Sequence, residues 1–435
     1  MEDAPHTRSP GVETSPTLPA PAGPARQIPR DVWAISVTSL FSDWSYEMIL
    51  PVLPFFLTFS LAASPFIVGL IDGAAQFAQS SIQYVSGEQW SYGQSRRARG
   101  SLGYFAMTVC HGLIAVAVVW PQVLVLRIGA WLGRGSRQPI KKAILSNAVP
   151  PNIQGIAFGL EQAFDSAGAV LGTATAVVLL AWTGIGAFRT IFLVSVIPGF
   201  AAVAVWLLAV RDRAGRGAPV AGARIRLGWK DFPRRLRLFL LAELVFGLGY
   251  FSILLALLRV GESLLPTAGG SHVQVVIASL LLYLLYNLIF TGLSYPAGRW
   301  ADRSPGLALV AVSFGLFAVV DFFLIESGGP AGGVLAGVLA FVFAGVQVGL
   351  QGVTESAWVA RRTPADLVGP AFGWLGMVQG LAILAGSLLA GGLWTYVSAP
   401  VAFEVSAGFS LAGAALLAPV MVAERRAAPP PALSV

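Results

Sequence analysis

The chain has 435 residues, of which 56% are hydrophobic and only 11% are charged, and its formal net charge is +7. Soluble proteins carry about 25% charged residues, so the composition excludes an ordinary soluble domain. The mean hydropathy of +0.73 predicts a chain that lies mostly in lipid, and the single cysteine, Cys110, excludes an internal disulfide.

Residues 1–30 are rich in Pro, Ala, Thr and Ser and contain no apolar core. They lack the hydrophobic region of a signal peptide, so we predict a disordered tail that is retained. Twelve apolar stretches follow, each with room for the ~20 residues that a membrane-spanning helix needs. The predicted spans are 33–58, 65–86, 101–120, 121–147, 155–182, 188–210, 235–259, 273–297, 306–326, 332–360, 368–394 and 399–422.

Basic residues mark one side of the predicted topology. They follow the even-numbered spans and cluster between spans six and seven, whereas the opposite loops hold little beyond Arg189 and Arg259. Short loops rich in Lys and Arg stay in the cytoplasm, so we predict cytoplasmic termini and a cytoplasmic linker in a bacterial inner membrane. The basic residues are Arg96, Arg97, Arg99, Arg211, Arg213, Arg216, Arg224, Arg226, Lys230, Arg234, Arg235, Arg237, Arg299, Arg303, Arg361, Arg362, Arg425 and Arg426.

The two halves of the sequence repeat each other. A Gly-x-Ala-Phe-Gly segment that begins at Gly155 recurs at Gly369, 214 residues later, and a second pair of similar segments begins at Gly87 and Gly298, 211 residues apart. Duplicated halves joined by a basic linker are typical of transporter folds. We therefore predict an all-α membrane protein with twelve transmembrane helices in two pseudo-symmetric six-helix bundles. The predicted bundles are 31–210 and 235–422, joined by the linker 211–234 and followed by a cytoplasmic tail at 423–435.

Predicted span four carries a row of positive charges. Arg127, Arg134 and Lys141 are spaced by seven residues, so they lie along one helical face, and Arg137 falls beside them. An ionised side chain at the bilayer centre costs roughly 2.5–3.5 kcal/mol on the most lenient scale, and such groups usually face a bundle interior or a wet cavity. We interpret Arg127, Arg134 and Arg137 as candidate ligands of an anionic solute. The alternative is structural pairing with acidic residues of span five.

Acidic residues form a second constellation inside the predicted spans. Asp43 and Glu47 are four residues apart on one face of span one, and Glu161 and Asp165 repeat that spacing in span five. Burial favours the protonated form of a carboxylate and a nearby cation favours the ionised form, so we predict that these residues and Glu355 bind protons or another coupling ion. Fixed structural hydrogen bonds are the alternative. Further acidic residues inside the spans are Asp72, Glu243 and Asp321.

Span eight is followed by Gly298-Arg-Trp-Ala-Asp302-Arg303, and the same place in the first half holds Gly87-Glu-Gln-Trp-Ser91-Tyr92. The first of these matches the cytoplasmic Gly-x-x-x-Asp-Arg motif of the major facilitator superfamily, which the chain resembles over nearly its whole length outside the tails. The resemblance implies a gate role for Gly298, Asp302 and Arg303. Ser91 and Tyr92 replace the corresponding pair in the first half.

Two further motifs extend the resemblance. Arg127, followed by Gly-Arg-Gly at 133–135, is similar to the fourth-helix motif, in which the arginine is linked to proton coupling. Gly159, Gly168 and Gly172 reproduce the glycine spacing of the fifth-helix antiporter motif, and such spacing permits close helix approach. The resemblance therefore implies the major facilitator fold and favours antiport.

The first span resembles more narrowly that of a poorly characterised bacterial subgroup of the superfamily. The segment Ser42-Asp43-Trp-Ser45-Tyr-Glu47-Met-Ile is similar to the subgroup's Thr-Asp-x-Ser-Ser-Glu-Met-Ile. Phe164-Asp165-Ser-Ala-Gly168 in span five also matches.

These residues and resemblances predict a secondary transporter that exports a small anionic solute in exchange for protons by alternating access. The sequence has no Walker-type phosphate loop, metal-ligand spacing or nucleophile–base motif. We therefore predict no enzymatic activity, cofactor, metal site or nucleic-acid partner. We expect a monomer whose partners are the solute, the coupling ion and the bilayer. Two alternatives stay open: a cation or metal carrier that uses the intramembrane carboxylates, and a non-transporting membrane sensor or assembly protein.

Overall fold

A computed structural model describes residues 28–89, 96–150, 153–211, 232–265, 269, 271–303, 306–329, 333–363 and 368–427. Within these ranges the chain is almost wholly helical, as the hydropathy predicts. The helices are α1 Arg30–Ile49, α2 Leu53–Phe55, α3 Pro65–Gln89, α4 Arg96–Leu113, α5 Trp120–Ala148, α6 Gln154–Thr183, α7 Ala187–Val194, α8 Val196–Ala209, α9 Arg234–Gly249, α10 Ile253–Leu264, α11 His272–Arg303, α12 Gly306–Glu326, α13 Gly333–Arg362, α14 Val368–Tyr396 and α15 Ala399–Ala427.

Each of the twelve predicted spans corresponds to one helix or to one interrupted pair, and the all-helical fold class is confirmed. The first span is interrupted at Pro51, which lacks a backbone donor, and continues through α2 into a π-helical turn at Phe56–Ser60. The sixth is divided between α7 and α8 at Ser195. The seventh breaks between α9 and α10, where the Ser252 hydroxyl caps the Leu254 amide at 3.1 Å.

Among the described residues, eight helical segments are long and apolar enough to cross a membrane. They comprise spans five to twelve, from Ile156–Thr183 to Ala399–Val422. The first four spans are more polar. Asp43 and Glu47 lie in α1, and α5 holds five basic residues, so the residues that lower the hydropathy of these helices are the ones that stand out as functional candidates.

The helices of the two halves pack in the same pattern. In the first half α1 packs against α6 and α8, and α5 packs against α3 and α4. In the second half α9 packs against α14 and α15, and α13 packs against α11 and α12. Span by span these are equivalent pairs, as the internal sequence repeat predicts. The predicted tails and linker lie mostly outside the described residues, so the domain boundaries stay predictions.

The two bundles meet along two pairs of helices, α3 with α14 and α6 with α11. Small residues permit the close approach of α3 and α14. A Cβ atom added at Gly69 would lie 2.3 Å from the Ser387 carbonyl oxygen, and one added at Gly391 would lie 2.7 Å from that of Pro65. This interface therefore tolerates no side chain at these positions without a shift of backbone.

The two ends of the interface differ. At one end, which we call the sealed end, α2 meets α10. The Phe59 ring of the π-helical turn and the His272 ring of α11 are 4.6 Å apart there between centroids. A Cβ atom on Gly261 would lie 2.5 Å from the Phe55 ring there. At the other end α3 and α13 finish and α4 and α14 begin. We call it the basic end, because α4 begins there with Arg97 and Arg99 and α13 finishes there with Arg361 and Arg362.

Candidate functional site

A cavity of about 890 Å³ lies between the two bundles. Its lining reaches Tyr84, Lys142 and Phe372, which are exposed toward the basic end. The wall combines amides, carboxylates and aromatic rings, the mixture expected of a small-molecule site. The polar and aromatic lining residues are Gln79, Ser80, Gln83, Tyr84, Lys142, Glu243, Phe246, Tyr250, Phe290, Gln351, Glu355, Ser356, Phe372, Trp374 and Gln379.

Three residues of the second half form what we call the carboxyl cluster: Glu243 on α9, Glu355 on α13 and Gln379 on α14. The Gln379 amide donates to Glu355 Oε2 at 2.8 Å and lies 3.5 Å from Glu243 Oε2. The two carboxyl groups are also close enough to influence each other electrostatically. Both glutamates are buried, and their Oε1 atoms have no hydrogen-bond partner among the described residues. Predicted ion-coupling residue Glu355 thus lies in the cavity wall.

The first half holds an acidic pair with a cation beside it. The carboxyl groups of Asp43 on α1 and Asp165 on α6 are close enough to influence each other electrostatically. Arg134 on α5 is close enough to both for their charges to interact, and its guanidinium lies 4.4 Å from the centre of the Tyr46 ring. Arg134 Nη1 has no hydrogen-bond partner among the described residues. The structure therefore brings three of the predicted site residues together.

Glu161 takes part in a separate ion pair. Its Oε1 accepts from the Lys141 ammonium and, at 2.8 Å, from the Ser39 hydroxyl. Lys141 and Glu161 are both buried. The ion pair joins α5 to α6 and occupies the Glu161 carboxylate. The role of Glu161 in binding a coupling ion stays a prediction.

Arg127 is fully buried and paired with Asp72 of α3 at 3.0 Å. Its guanidinium also stacks 3.6 Å from the centre of the Trp131 ring. Asp72 accepts a second hydrogen bond, 2.6 Å long, from the Ser252 hydroxyl at the α9–α10 break. The Ser252 amide in turn donates to the Ser387 hydroxyl at 3.1 Å. The pair thus connects the two bundles.

Glu47 makes a second connection of the same type. The Tyr283 hydroxyl of α11 donates to Glu47 Oε2 at 2.9 Å. In both connections a buried carboxylate of the first bundle accepts from a hydroxyl of the second. We call Asp72–Ser252 and Glu47–Tyr283 the two carboxylate–hydroxyl links.

Arg137 points into the first bundle. Its guanidinium donates to the Ser42 hydroxyl at 2.8 Å and lies 3.9 Å from the centre of the Tyr104 ring. It is 1% exposed. Among the described residues that line the cavity, Lys142 is the basic one, and Arg127, Arg134 and Arg137 are not part of the lining. Their role as solute ligands stays a prediction.

The predicted gate motif is described only in part. Gly298 lies in α11 and has room for a Cβ atom, which would meet Val353 at 3.6 Å. The backbone of Asp302 and Arg303 ends α11, but their side chains lie outside the description, as do Ser91 and Tyr92. Arg361 donates to the Ala301 carbonyl at 2.7 Å. The gate role stays a prediction.

Sequence reasoning missed the carboxyl cluster as a unit. Glu243 was noted only as an acidic residue inside a span, and Gln379 was not noted. The internal repeat could have found Gln379, because it lies 214 residues after Asp165, the same interval that separates the Gly155 and Gly369 segments. Among the described residues, no group of three or more His, Cys, Asp and Glu side chains could hold a metal ion.

The chain thus forms two bundles with equivalent helix packing and a cavity between them. The sequence profile of the Major Facilitator Superfamily matches residues 35–349. The chain belongs to this superfamily. An uncharacterised MFS-type transporter of Methanocaldococcus jannaschii is 26% identical over 373 residues, which cover 85% of this chain and 89% of that protein.

Solved structures of the superfamily share the fold. A mutant form of the nucleoside transporter NupG superposes with a TM-score of 0.76 at 13% identity, covering 89% of this chain and 99% of that one. A D-xylose–proton symporter gives a TM-score of 0.68 at 13% identity, covering 89% and 96%. These structures confirm the predicted fold. Membership of the superfamily confirms the predicted family and makes the chain a multi-pass membrane protein of secondary transport rather than an enzyme.

Proposed function

We propose that this member of the superfamily moves a small organic solute through the cavity between its bundles, coupled to protons. The observation that carries the proposal is the Asp43–Asp165 pair beside Arg134. Two carboxyl groups close together can share one proton, and a neighbouring cation changes how readily that proton is released. The pair therefore has the chemistry of a proton-coupling site.

The proposed orientation places the basic end in the cytoplasm, because Lys and Arg accumulate there. In that orientation the cavity faces inward. Cysteines introduced at 218 and 266, in a Cys110→Ala background, should react with membrane-impermeant reagents from opposite sides. Labelling of both from one side would contradict the orientation.

Export in exchange for protons is the proposed direction. An inward-facing cavity loads solute from the cytoplasm, and protons that enter from outside would reset the carrier after release. The glycine spacing of α6 supports antiport. The likeness to a nucleoside transporter and to a xylose symporter, at 13% identity, extends to the fold and leaves the solute open.

The test uses proteoliposomes with an imposed pH gradient and a defined probe panel. Its charged members are three pairs of similar shape and opposite charge: 2-phenylethylammonium with 3-phenylpropionate, tryptammonium with indole-3-propionate, and tetraphenylphosphonium with tetraphenylborate. Uridine and D-xylose are the neutral members. At least one member should accumulate against its gradient when a pH difference is applied, beyond the level that it reaches in protein-free liposomes.

Substitution of the coupling residues should reduce proton-driven transport without reducing solute exchange. Asp43→Asn and Asp165→Asn keep the side-chain shape and remove the charge, so gradient-driven accumulation should fall about tenfold or more while solute counterflow continues. Glu47→Gln should be measured in parallel, because the sequence also assigns Glu47 to coupling. The control is Glu404→Gln on an exposed face of α15. If no panel member moves, the non-transporting alternative takes precedence, and unchanged pH dependence in all three variants would remove these carboxylates from coupling.

An anionic solute held by Arg134 is the second candidate for the same site. Arg134 Nη1 has no partner among the described residues, so it could donate to a carboxylate or phosphate. In this case an anionic panel member binds, Arg134→Ala abolishes its binding, and Arg134→Lys restores it only in part, because Lys lacks the bidentate fork. Lys142→Ala, at the exposed mouth, is the comparison variant.

A further inference from the structure

Among the described residues, no basic side chain forms a salt bridge with the carboxyl cluster, in contrast to Asp72 and Glu161. Asp72 is paired with Arg127, and Glu161 with Lys141. Glu243 and Glu355 instead interact with each other and with the neutral side chains of Gln379 and Gln351. Two buried carboxylates this close repel each other unless a proton or a cation neutralises them. The cluster is therefore short of positive charge.

The two glutamates that carry the unused hydrogen-bonding capacity of the cluster line the cavity. Glu243 is 1% exposed and Glu355 is 3% exposed, and Oε1 of each is without a donor among the described residues. A buried acceptor without a donor carries a desolvation cost, which a ligand that supplies the donor removes. An ammonium group has three donors and no acceptor, so it fits both oxygens and the missing charge.

Aromatic rings surround the same space. Phe246 follows Glu243 by one helical turn on α9, and Tyr250 follows Phe246 by another. Phe290 and Trp374 line the cavity from α11 and α14. Aromatic faces attract cations and also pack against apolar rings. The volume of about 890 Å³ is within the range of sites for drug-sized molecules.

We infer that Glu243, Gln379 and Glu355 form the recognition site for an organic cation that carries an aromatic group, with the ammonium at the carboxyl cluster and its ring among the cavity aromatics. This inference names the solute class of the proposed transporter and rests on that proposal. The first bundle would then hold the proton pair and the second bundle the solute. Lys142, the basic residue of the described lining, is exposed at the mouth of the cavity, where a passing cation is least desolvated.

The experiment compares the two members of each charged pair in the probe panel on the purified full-length protein. Binding is measured by ligand-induced thermal stabilisation and by calorimetry. At least one cationic member should bind about tenfold or more tightly than its anionic counterpart, because only the cation compensates the carboxylates. The comparison on the wild-type protein alone decides whether the site prefers a cation or an anion, and it needs no variant.

Variants then locate the site. Glu243→Gln, Glu355→Gln and the double substitution keep the side-chain volume, and each should weaken binding of the cation about tenfold or more. Glu404→Gln, an exposed glutamate of α15, is the matched control and should bind the cation as the wild type does. If the double variant does not fold, the single variants and the wild-type charge comparison still decide the outcome.

Three results would overturn the inference. One is equal or tighter binding of the anionic members, another is unchanged cation affinity in the folded Gln variants, and the third is no binding by any cationic member. Gradient-driven movement of an anionic or neutral member would overturn the solute class while supporting proton-coupled transport. Failure of all movement in vesicles, with cation binding intact, would instead contradict the transport proposal and leave the binding site standing.

Discussion

Buried charges in the first bundle are tied to partners on other helices, and Lys141 is the clearest case. Its ammonium contacts Glu161 and donates to the Ser39 hydroxyl at 3.1 Å, so three helices meet at one ion pair. Lys142, the next residue, is exposed. Neighbouring lysines thus have opposite structural roles, although both extend the same basic run in the sequence.

Lys141→Ala should destabilise the protein by about 3–5 kcal/mol, because it leaves the Glu161 carboxylate buried without its cation. Thermal unfolding of the purified protein in detergent measures the effect. Lys142→Ala is the matched control and should change the midpoint little, since an exposed charge contributes little. Adding Glu161→Gln to Lys141→Ala should recover part of the loss. Equal midpoints for the two lysine variants would show that the ion pair has no structural role.

Sequence alone could place these charges on faces but could not pair them. The seven-residue spacing correctly put Arg127, Arg134 and Lys141 along one side of α5. Their partners come from α3, α1 and α6, and the choice depends on how those helices are rotated and shifted against α5. Helical periodicity contains no such information, so the salt bridge of Arg127 with Asp72 could not be derived from it.

Helix packing explains why glycines recur in α6. A Cβ atom on Gly168 would lie 2.4 Å from the Leu40 carbonyl oxygen, and one on Gly172 would lie 2.6 Å from that of Trp44. Both contacts are with the backbone of α1, which cannot move as a side chain can. Gly159, which belongs to the same sequence motif, has no heavy atom within 4 Å of an added Cβ atom.

Alanine substitutions should therefore divide the motif. Gly168→Ala and Gly172→Ala should each cost about 1–3 kcal/mol of stability, because they force α1 and α6 apart. Gly159→Ala should be neutral or slightly stabilising, because alanine favours the helix over glycine. Thermal unfolding measures all three. A loss at Gly159 as large as at Gly168 would mean that the motif acts through something other than contact with α1.

The positions of the helices were largely predictable because a long apolar run has few alternatives in a membrane. The interruptions of these helices were less predictable. Pro51 signals the bend in span one, but the break at Tyr250–Ser252 in span seven has no proline, and it follows only a glycine, Gly249. That break presents Ser252 to Asp72 and Ser387 of other helices, so tertiary contacts determine it.

At the scale of the whole molecule, the repeat predicts two equivalent bundles, and their packing bears this out. The repeat does not predict at which end of the interface the two bundles are closed against each other. The sealed end depends on contacts between residues with no sequence relation, such as Phe59 with His272. The division of charge also breaks the symmetry, since Asp165 of the first bundle corresponds to the neutral Gln379 of the second.

The two carboxylate–hydroxyl links should hold the sealed end closed. Each is a hydrogen bond to a carboxylate in a buried place, and such bonds contribute about 1.5–3 kcal/mol. If the bundles separate at the sealed end, Asp72 keeps Arg127 while the hydroxyls of Ser252 and Tyr283 lose their acceptors. The links therefore stabilise one state of the transport cycle over the other, which is what a gate requires.

Ser252→Ala together with Tyr283→Phe should shift the protein toward the state that is open at the sealed end, by about tenfold to a hundredfold in population for each link lost. Spin labels at the exposed positions Ser60 and Gln274, in a Cys110→Ala background, report the separation of the bundles there by double electron–electron resonance. The double variant should gain a longer-distance population.

The control pairs Ser263→Ala, whose hydroxyl donates within α10 to Val260, with Tyr295→Phe on an exposed face. It removes the same two hydroxyl types without touching a link, so its distance distribution should match the wild type. Matching distributions for both double variants would mean that apolar contacts such as Gly261 with Phe55 seal this end, and that the carboxylates Asp72 and Glu47 do not bias the transport cycle.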